Sequence, residues 1–263
     1  MYLPCVMPAK PVFITSDVHL GAVPPETVAA FHRWLTHAAD AGDTIVVNGD
    51  LFDFWFEYRS AIPRGHSRTL GLLAELVDHG TRIVLLGGNH DWWGGTFLTE
   101  EIGVEFYKEP VRMDLGGWPT LLAHGDGVGE GDLGYRFLQK VLRSGLAVHG
   151  FRWLHPDWGA GLARWVSRTE DRAKDGHPEY GEQRNEMIRQ WAHGQLQSDP
   201  GLRVVAFGHT HLPGLTEVPG DRYLMNTGDW VYRKTYAILE PGTPPFIRSW
   251  EESGSQRSFS GRL

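Results

Sequence analysis

Five apolar runs in this chain each end in a glycine-flanked group of Asp, Asn or His, and that recurrence limits the possible folds sharply. "PVFIT" (11–15) leads into "SDVHLG", "DTIVVNG" (43–49) into "GDLFDFW", and "RIVLLGG" (82–88) into "GGNHDWW". Further on, "TLLAHG" (120–125) leads into "AHGDG" and "RVVAFGH" (203–209) into "FGHTH". Short, β-branched-rich runs bounded by glycine read as buried strands. Helical patterns separate the first three. In "PPETVAAFHRWLTHAADAG", Val28, Phe31, Leu35 and Ala38 recur at helical spacing, Pro25 suits a first turn and Gly42 a stop. "SRTLGLLAELVDHG" places Leu70, Leu73 and Val77 on one face and ends at Gly80. Strand–helix–strand alternation, closed by the short strands of "RYLMNTG", "TYAILE" and "FIRSW", predicts an α/β layered fold. Open parallel sheets place their sites beyond the carboxyl ends of the strands, which is where these polar groups fall.

One interval breaks the pattern. Residues 129–198 read as several helices separated by glycine and proline, and are expected to form a helical lid inserted into one domain spanning 1–263. Residues 133–174 hold eight Lys/Arg and three Asp/Glu, a balance of +5, so the rest of this −7 chain carries −12. Such asymmetry suggests a functional face. Arg136, Lys140 and Arg143 fall on one helical face and are candidates to hold a phosphate, as is Arg59 after "DFWFEY". Tyr135, Phe137, Leu138, Phe151, Trp153 and Leu154 are candidates to line an acyl channel. The bland alternative is an amphipathic helix packed on the core with its basic residues solvated.

The remaining bulk features narrow the class. Cys5 is the only cysteine, so neither an intramolecular disulfide nor a thiolate metal cluster is expected, and a reducing, cytoplasmic setting is. No apolar run reaches the ~18 residues of a membrane span, and "MYLPCVMPAK" reads as too short and weakly apolar for a signal peptide. A net charge of −7 argues against a dedicated nucleic-acid partner.

Taken together, the strand ends offer Asp17, His19, Asp50, Asn89, His124, His209 and His211 as metal ligands. Oxygen and imidazole donors without sulfur suit hard or borderline divalent ions: manganese, with iron, zinc and cobalt as alternatives. Seven ligands are too many for one zinc ion and suit two ions sharing a carboxylate, for which Asp50 is the natural bridge, one oxygen to each. Asp17 and His19 are two apart, as are His209 and His211; on extended backbone each pair would point one way, with Thr210 facing away. Two metals ~3.5–4 Å apart are a known device for phosphoester hydrolysis. His90 is a candidate to protonate the leaving oxygen, with Asp91 orienting its ring. Singly, each group has an ordinary reading: Asp17 as a cap, Asn89 as a turn residue, Asp53 as either a carboxylate behind a ligand or a turn-former, Asp126 and Asp229 as loop acids, and the other eight histidines as surface or core residues. Five strand ends acquiring them in this order do not.

In order and spacing, "DVH", "GDLFD", "GNHD", "HGD" and "GHTH" resemble the signature of calcineurin-like metallophosphoesterases, over about residues 13–230. The resemblance implies a β-sandwich flanked by helices in αββα layers. It implies one metal held by Asp17, His19, Asp50 and His211, a second held by Asp50, Asn89, His124 and His209, and His90 in the place of the catalytic histidine. "GDLFDFWFEYR", "HGDGVGEGDLGYRFLQKVLR", "FRWLHPDWG" and "NTGDWV" are also similar to a branch of UDP-2,3-diacylglucosamine diphosphatases, some of which carry arginine where this chain has His90. That branch implies hydrolysis of the pyrophosphate of a nucleotide-linked glycolipid to a lipid-linked sugar 1-phosphate and UMP, with peripheral contact at the inner face of the cell membrane through the lid. Another nucleotide or phosphodiester substrate is the alternative.

Overall fold

The computed structural model describes residues 10–129, 133–159, 161 and 178–250, without the side chains of Leu133, Tyr135 and residues 178–180. Three strands, β1 (Val12–Thr15), β2 (Thr44–Asn48) and β3 (Arg82–Leu86), lie parallel and adjacent. They are joined by α1 (Pro25–Ala41) and α2 (Ser67–Asp78). β4 (Glu105–Tyr107) extends the parallel set, while β10 (Thr235–Glu240) and β11 (Thr243–Ser249) close the other side antiparallel. The order of this sheet is β11-β10-β1-β2-β3-β4. A second sheet runs β5-β6-β7-β9-β8, from β5 (Val111–Leu115), β6 (Trp118–Leu122), β7 (Val204–Phe207), β8 (Gly214–Val218) and β9 (Arg222–Asn226). Its centre, β6-β7-β9, is parallel and its two edges are antiparallel.

The period of two in each strand explains the layering. Val12, Ile14, Val46 and Val84 point into a core shared with Leu122, Val204, Ala206 and Met225 of the second sheet. The alternate residues, Phe13, Ile45, Val47 and Leu85, face α1 and α2, where Phe31, Trp34, Leu35 and Leu73 are buried. On the far side of the second sheet, α5 (Pro178–Ser198) buries Ile188, Ala192 and Leu196 at i, i+4 and i+8 against Val205, Phe207 and Leu224. The layers are therefore α, β, β, α, as the family resemblance implies. Strands buried on both faces explain why β1, β2, β3 and β7 are continuous apolar runs.

β4, β5 and β8 have no counterpart among the runs that read as strands. β4 is three half-buried residues, and β5 and β8 are edge strands whose burial alternates or lapses, so none carries an apolar run. The described residues within 129–198 include helices with two roles. α5 is a layer of the fold itself, whereas α3 (Leu133–Leu142) and α4 (Gly145–Arg152) leave large apolar side chains in solvent, among them Leu146 at 88% and Trp153 at 82%. Of the candidate acyl-lining residues, Phe137, Leu138 and Trp153 are exposed. Phe151 instead packs its ring 4.6 Å from that of Phe56. The Tyr135 side chain lies outside the described residues.

Candidate metal centre

All seven candidate ligands lie just beyond the carboxyl ends of parallel strands: Asp17 and His19 after β1, Asp50 after β2, Asn89 after β3, His124 after β6, and His209 and His211 after β7. Backbone hydrogen bonds stitch these ends together. Val18 and His19 N–H both donate to the Asp50 carbonyl, and Gly208 N–H to the His124 carbonyl. Across the sheets, Asn48 Nδ2 donates to the carbonyls of Ala123 (3.0 Å) and Ala206 (3.2 Å).

The expected reason for the paired ligands is wrong in one respect. Asp17, His19, Asp50, His209 and His211 are not extended but left-handed, with φ between 51° and 67°. Asp and His are among the residues that tolerate this region, and here it turns each side chain from a strand end back into the site. Two glycines make room for the packing. A Cβ on Gly49 would sit 2.1 Å from His124 Nδ1, and one on Gly88 would sit 2.1 Å from Asp50 Oδ1.

Each aspartate divides its oxygens between scaffold and site. Asp17 Oδ2 accepts His209 N–H (3.0 Å), while Oδ1 lies 3.2 Å from His211 Nε2 and 3.9 Å from His19 Nε2. Asp50 Oδ1 accepts His90 N–H (2.9 Å), and Oδ2 faces both His124 Nε2 (3.1 Å) and His19 Nε2 (3.9 Å). Asp50 thus presents one oxygen to both groups, not one to each, because its other oxygen holds the β3 loop. Asn89 Oδ1 lies 3.2 Å from His124 Nε2 and 3.0 Å from His209 Nδ1. The ligand candidates cluster as Asp17–His19–His211 and as Asp50–His124–His209, with Asn89 against the second group, and a third cluster, His19–Asp53–His90, shares His19 with the first.

These residues fit divalent ions. His19 Nε2 is buried without a hydrogen-bond partner, and Asp17 Oδ1 is buried facing His211 Nε2 at 3.2 Å without an aligned hydrogen bond, a costly arrangement for a protein to keep without a ligand. Burial works against ionising Asp17, and the Asp50 charge adds to it, yet His211 and His124 outweigh both and hold its carboxyl well below the usual range. Burial lowers His19, leaving the neutral imidazole that a ligand must be. Burial also opposes a charged His124, but the Asp50 carboxylate raises it well above an ordinary histidine. Buried carboxylates at this spacing call for positive charge, which divalent ions would provide. Two of the ligand histidines have a group facing the second nitrogen, the kind of partner that orients a metal-binding ring. His124 Nδ1 lies 3.0 Å from the Asn48 carbonyl, and His19 Nδ1 lies 3.6 Å from Asp53 Oδ1.

The same signature carries a wider comparison. The calcineurin-like phosphoesterase family model matches residues 10–213. The chain belongs to the calcineurin-like phosphoesterase family. Family and donor set together make it a metal-dependent hydrolase. Among curated proteins, the UDP-2,3-diacylglucosamine hydrolase of Porphyromonas gingivalis is 31% identical over 257 residues, covering 92% of this chain and 98% of that one. The protein of the same name from Ectopseudomonas mendocina is 32% identical, covering 83% and 90%. Among solved structures, Vacuolar Protein Sorting 29 from Cryptosporidium parvum aligns over 97% of this chain and 100% of its own, at a TM-score of 0.47 and 12% identity.

In this phosphoesterase the remaining candidates are placed as follows. The His90 ring packs edge-on to His19, with 4.8 Å between centroids, and its Nδ1 lies 2.7 Å from the Asp53 carbonyl. Asp91 was expected to orient that ring. Its carboxylate instead accepts the backbone N–H groups of Gly88 (2.8 Å), Phe52 (3.2 Å) and Asp50 (3.3 Å), which fixes the β2 and β3 loops against each other. Burial and the neighbouring Asp50 raise its pKa to about 7 despite those donors. Arg143 is not presented as an open phosphate ligand. It follows the last residue of α3, pairs with Asp126 (2.6 Å) and stacks over Trp92 (4.9 Å). Arg136 is half-buried, and Arg59 and Lys140 are exposed. Two loop acids gain positioning roles: Asp126 anchors Arg143, and Asp229 pairs with Arg233 (3.2 Å), whose guanidinium also donates to the His211 carbonyl (2.9 Å). Nothing in the sequence distinguished them from ordinary turn residues.

Proposed function

We propose that this phosphoesterase hydrolyses the pyrophosphate of a nucleotide-linked glycolipid, UDP-2,3-diacylglucosamine, to the lipid-linked sugar 1-phosphate and UMP. The observation that carries the hydrolytic reading is the convergence of two donor groups on the shared Asp50 Oδ2. The substrate rests on relatives of that name matched over nearly their whole length. Asp17, His19, Asp50 and His211 would hold one ion, and Asp50, Asn89, His124 and His209 the other, with manganese as the first expectation. Bound divalent ions supply Lewis acidity toward a phosphoryl oxygen and lower the pKa of water. His90 donates Nδ1–H to the Asp53 carbonyl, which assigns proton transfer to Nε2. One water is consumed: its oxygen forms a new P–O bond as the P–O bond of the pyrophosphate breaks, its released proton passes to solvent, and the departing phosphate oxygen takes a proton from His90 Nε2, which solvent restores. Asn89, Arg59, Arg136 and Lys140 are proposed to bear on the substrate; Arg143 acts through the loop it anchors.

The exposed apolar side chains of α3 and α4, with Lys140 and Arg152 among them, support a lid that meets acyl chains and the inner face of the cell membrane from the cytoplasm. No helix among the described residues is long and apolar enough to cross a membrane. Turnover of UDP-2,3-diacylglucosamine against its deacylated UDP-sugar tests the substrate. We expect the lipid form to be preferred by at least about tenfold, ~1.4 kcal/mol. A smaller preference points to another nucleotide or phosphodiester. Asp50→Ala should abolish hydrolysis of a generic phosphodiester, and retained turnover would overturn the hydrolytic mechanism.

A further inference from the structure

We propose that Asn185 is a positioning residue for the metal-binding turn His209–Thr210–His211, acting through the Thr210 hydroxyl. The inference rests on the dinuclear reading above and goes beyond it. Both histidines of the turn have left-handed backbone, φ 67° and 58°, a conformation that persists only where its surroundings enforce it. Thr210 sits between them, and its N–H closes the turn on the Gly208 carbonyl at 2.8 Å. Its side chain leaves the site and enters a closed triangle of hydrogen bonds. Thr210 Oγ1 donates to Asn185 Oδ1 (2.9 Å), and Asn226 Nδ2 donates to both Asn185 Oδ1 (3.0 Å) and Thr210 Oγ1 (2.8 Å).

The triangle is rigid at its other two corners. Asn226 ends β9, is fully buried, and accepts Gly228 N–H on Oδ1 at 3.0 Å. Asn185 is 7% exposed and stands on α5 less than one turn before Ile188, which is buried in the core against β7 and β9. A core-anchored helix therefore fixes Asn185, Asn185 fixes Thr210, and Thr210 fixes the turn that aims His209 at Asn89 and His211 at Asp17. A network serving stability alone would be indifferent to metal. One that aims ligands would alter metal affinity, since removing orienting partners of metal ligands costs roughly 10- to 100-fold.

The test uses full-length protein stripped by chelation and titrated with Mn2+ against a competing chromophoric chelator, with no substrate present. Thr210→Val and Asn185→Leu remove the hydrogen bonds at nearly constant shape, and Thr210→Ser keeps the hydroxyl. We expect Mn2+ affinity to fall roughly 10- to 100-fold in Thr210→Val and Asn185→Leu. Thr210→Ser should stay near wild type, and the thermal midpoints of the stripped proteins should stay close together. The double variant should lose little more than either single one, because both break the same link. Should Asn185→Leu fail to fold, the contrast between Thr210→Val and Thr210→Ser decides alone. Wild-type affinity in the folded Val and Leu variants, or a Ser variant as weak as Val, overturns the assignment. Wild-type protein that takes up no Mn2+ overturns the dinuclear reading and this inference together; wild-type protein that binds two ions alongside variants that match it overturns the inference only.

Discussion

Five L-residues of the site occupy a backbone region that costs about 1–2 kcal/mol each. That strain holds because the loops bond one another: Asp17 N–H to the Gly49 carbonyl and Val18 N–H to the Asp50 carbonyl, with Asp91 gripping three further N–H groups. So close a packing of loops makes the strand-end glycines the sensitive positions. Gly49→Ala would force a Cβ at φ +95° to within 2.1 Å of His124 Nδ1, the nitrogen that orients that ring on the Asn48 carbonyl. The His124 ring must turn away or the β2 loop must shift, and either separates His124 from Asp50. We expect loss of phosphodiester hydrolysis by at least about 100-fold, the upper end of what disturbing a ligand's orienting partner costs. Gly71→Ala, in the exposed face of α2 with nothing within 4 Å of the new Cβ, is the control, expected to keep full activity. Equal activity in the two variants would mean that His124 orientation does not matter. The residue types of the site were legible in the sequence, because only side chains of that chemistry cluster at strand ends. Their left-handed backbone was not. The same Asp and His that serve as ligands also tolerate positive φ, so one letter carries two reasons and the chemical one hides the conformational one.

Elements differed in how plainly they were written. β1, β2, β3 and β7 are buried on both faces and announce themselves as apolar runs, whereas β4 and β8 carry no such run and β5 only the short alternation of Val111, Met113 and Leu115 with Arg112 and Asp114. α5 shows the opposite problem: it lies in an interval whose charge and glycine breaks suggest a lid, yet its apolar residues at four-residue spacing build the outermost layer. Arg143 illustrates the same ambiguity for α3. Helical spacing groups it with Arg136 and Lys140, but the partner that claims it, Asp126, lies on a loop 17 residues earlier. Arg143→Ala separates the two roles. As an anchor, Arg143 supplies a half-buried ion pair and a cation–π contact, together about 1–2 kcal/mol. Its loss should speed amide exchange across residues 137–142 by roughly 5- to 30-fold, the population change that this energy represents. Exchange in β1 and β2 should not move. A raised KM with unchanged exchange in α3 would instead make Arg143 a substrate contact.

At the scale of the whole molecule, the two donor groups straddle the seam between the sheets. Asp17, His19, Asp50 and Asn89 come from the first sheet, and His124, His209 and His211 from the second. Polar links among the described residues cross that seam too, among them Asn48 to Ala123 and Ala206, Ser16 to Thr227, His124 to the Asn48 carbonyl, Trp118 Nε1 to the Glu240 carbonyl, and Asp17 to His209 N–H. Divalent ions held by ligands of both sheets would therefore act as cross-links, and would neutralise the Asp17–Asp50 repulsion that burial sharpens. Binding to the folded chain alone at 1,000 times the dissociation constant stabilises it by about 4 kcal/mol. For a chain of this size that corresponds to a midpoint shift of roughly 8–16 °C. Calorimetry of chelator-treated protein, before and after Mn2+ is restored, should show a shift of that order, with the sheets melting as one transition in both states. Asp50→Asn weakens ligands to both ions and should abolish most of the shift. His66→Ala, which removes a buried ring packed on Phe52 that is none of the seven ligands, should lower both midpoints and leave the difference between them largely intact. A Mn2+-dependent shift that survives in Asp50→Asn would place the stabilising ion elsewhere, and a shift absent from wild type would mean that the sheets hold together without it.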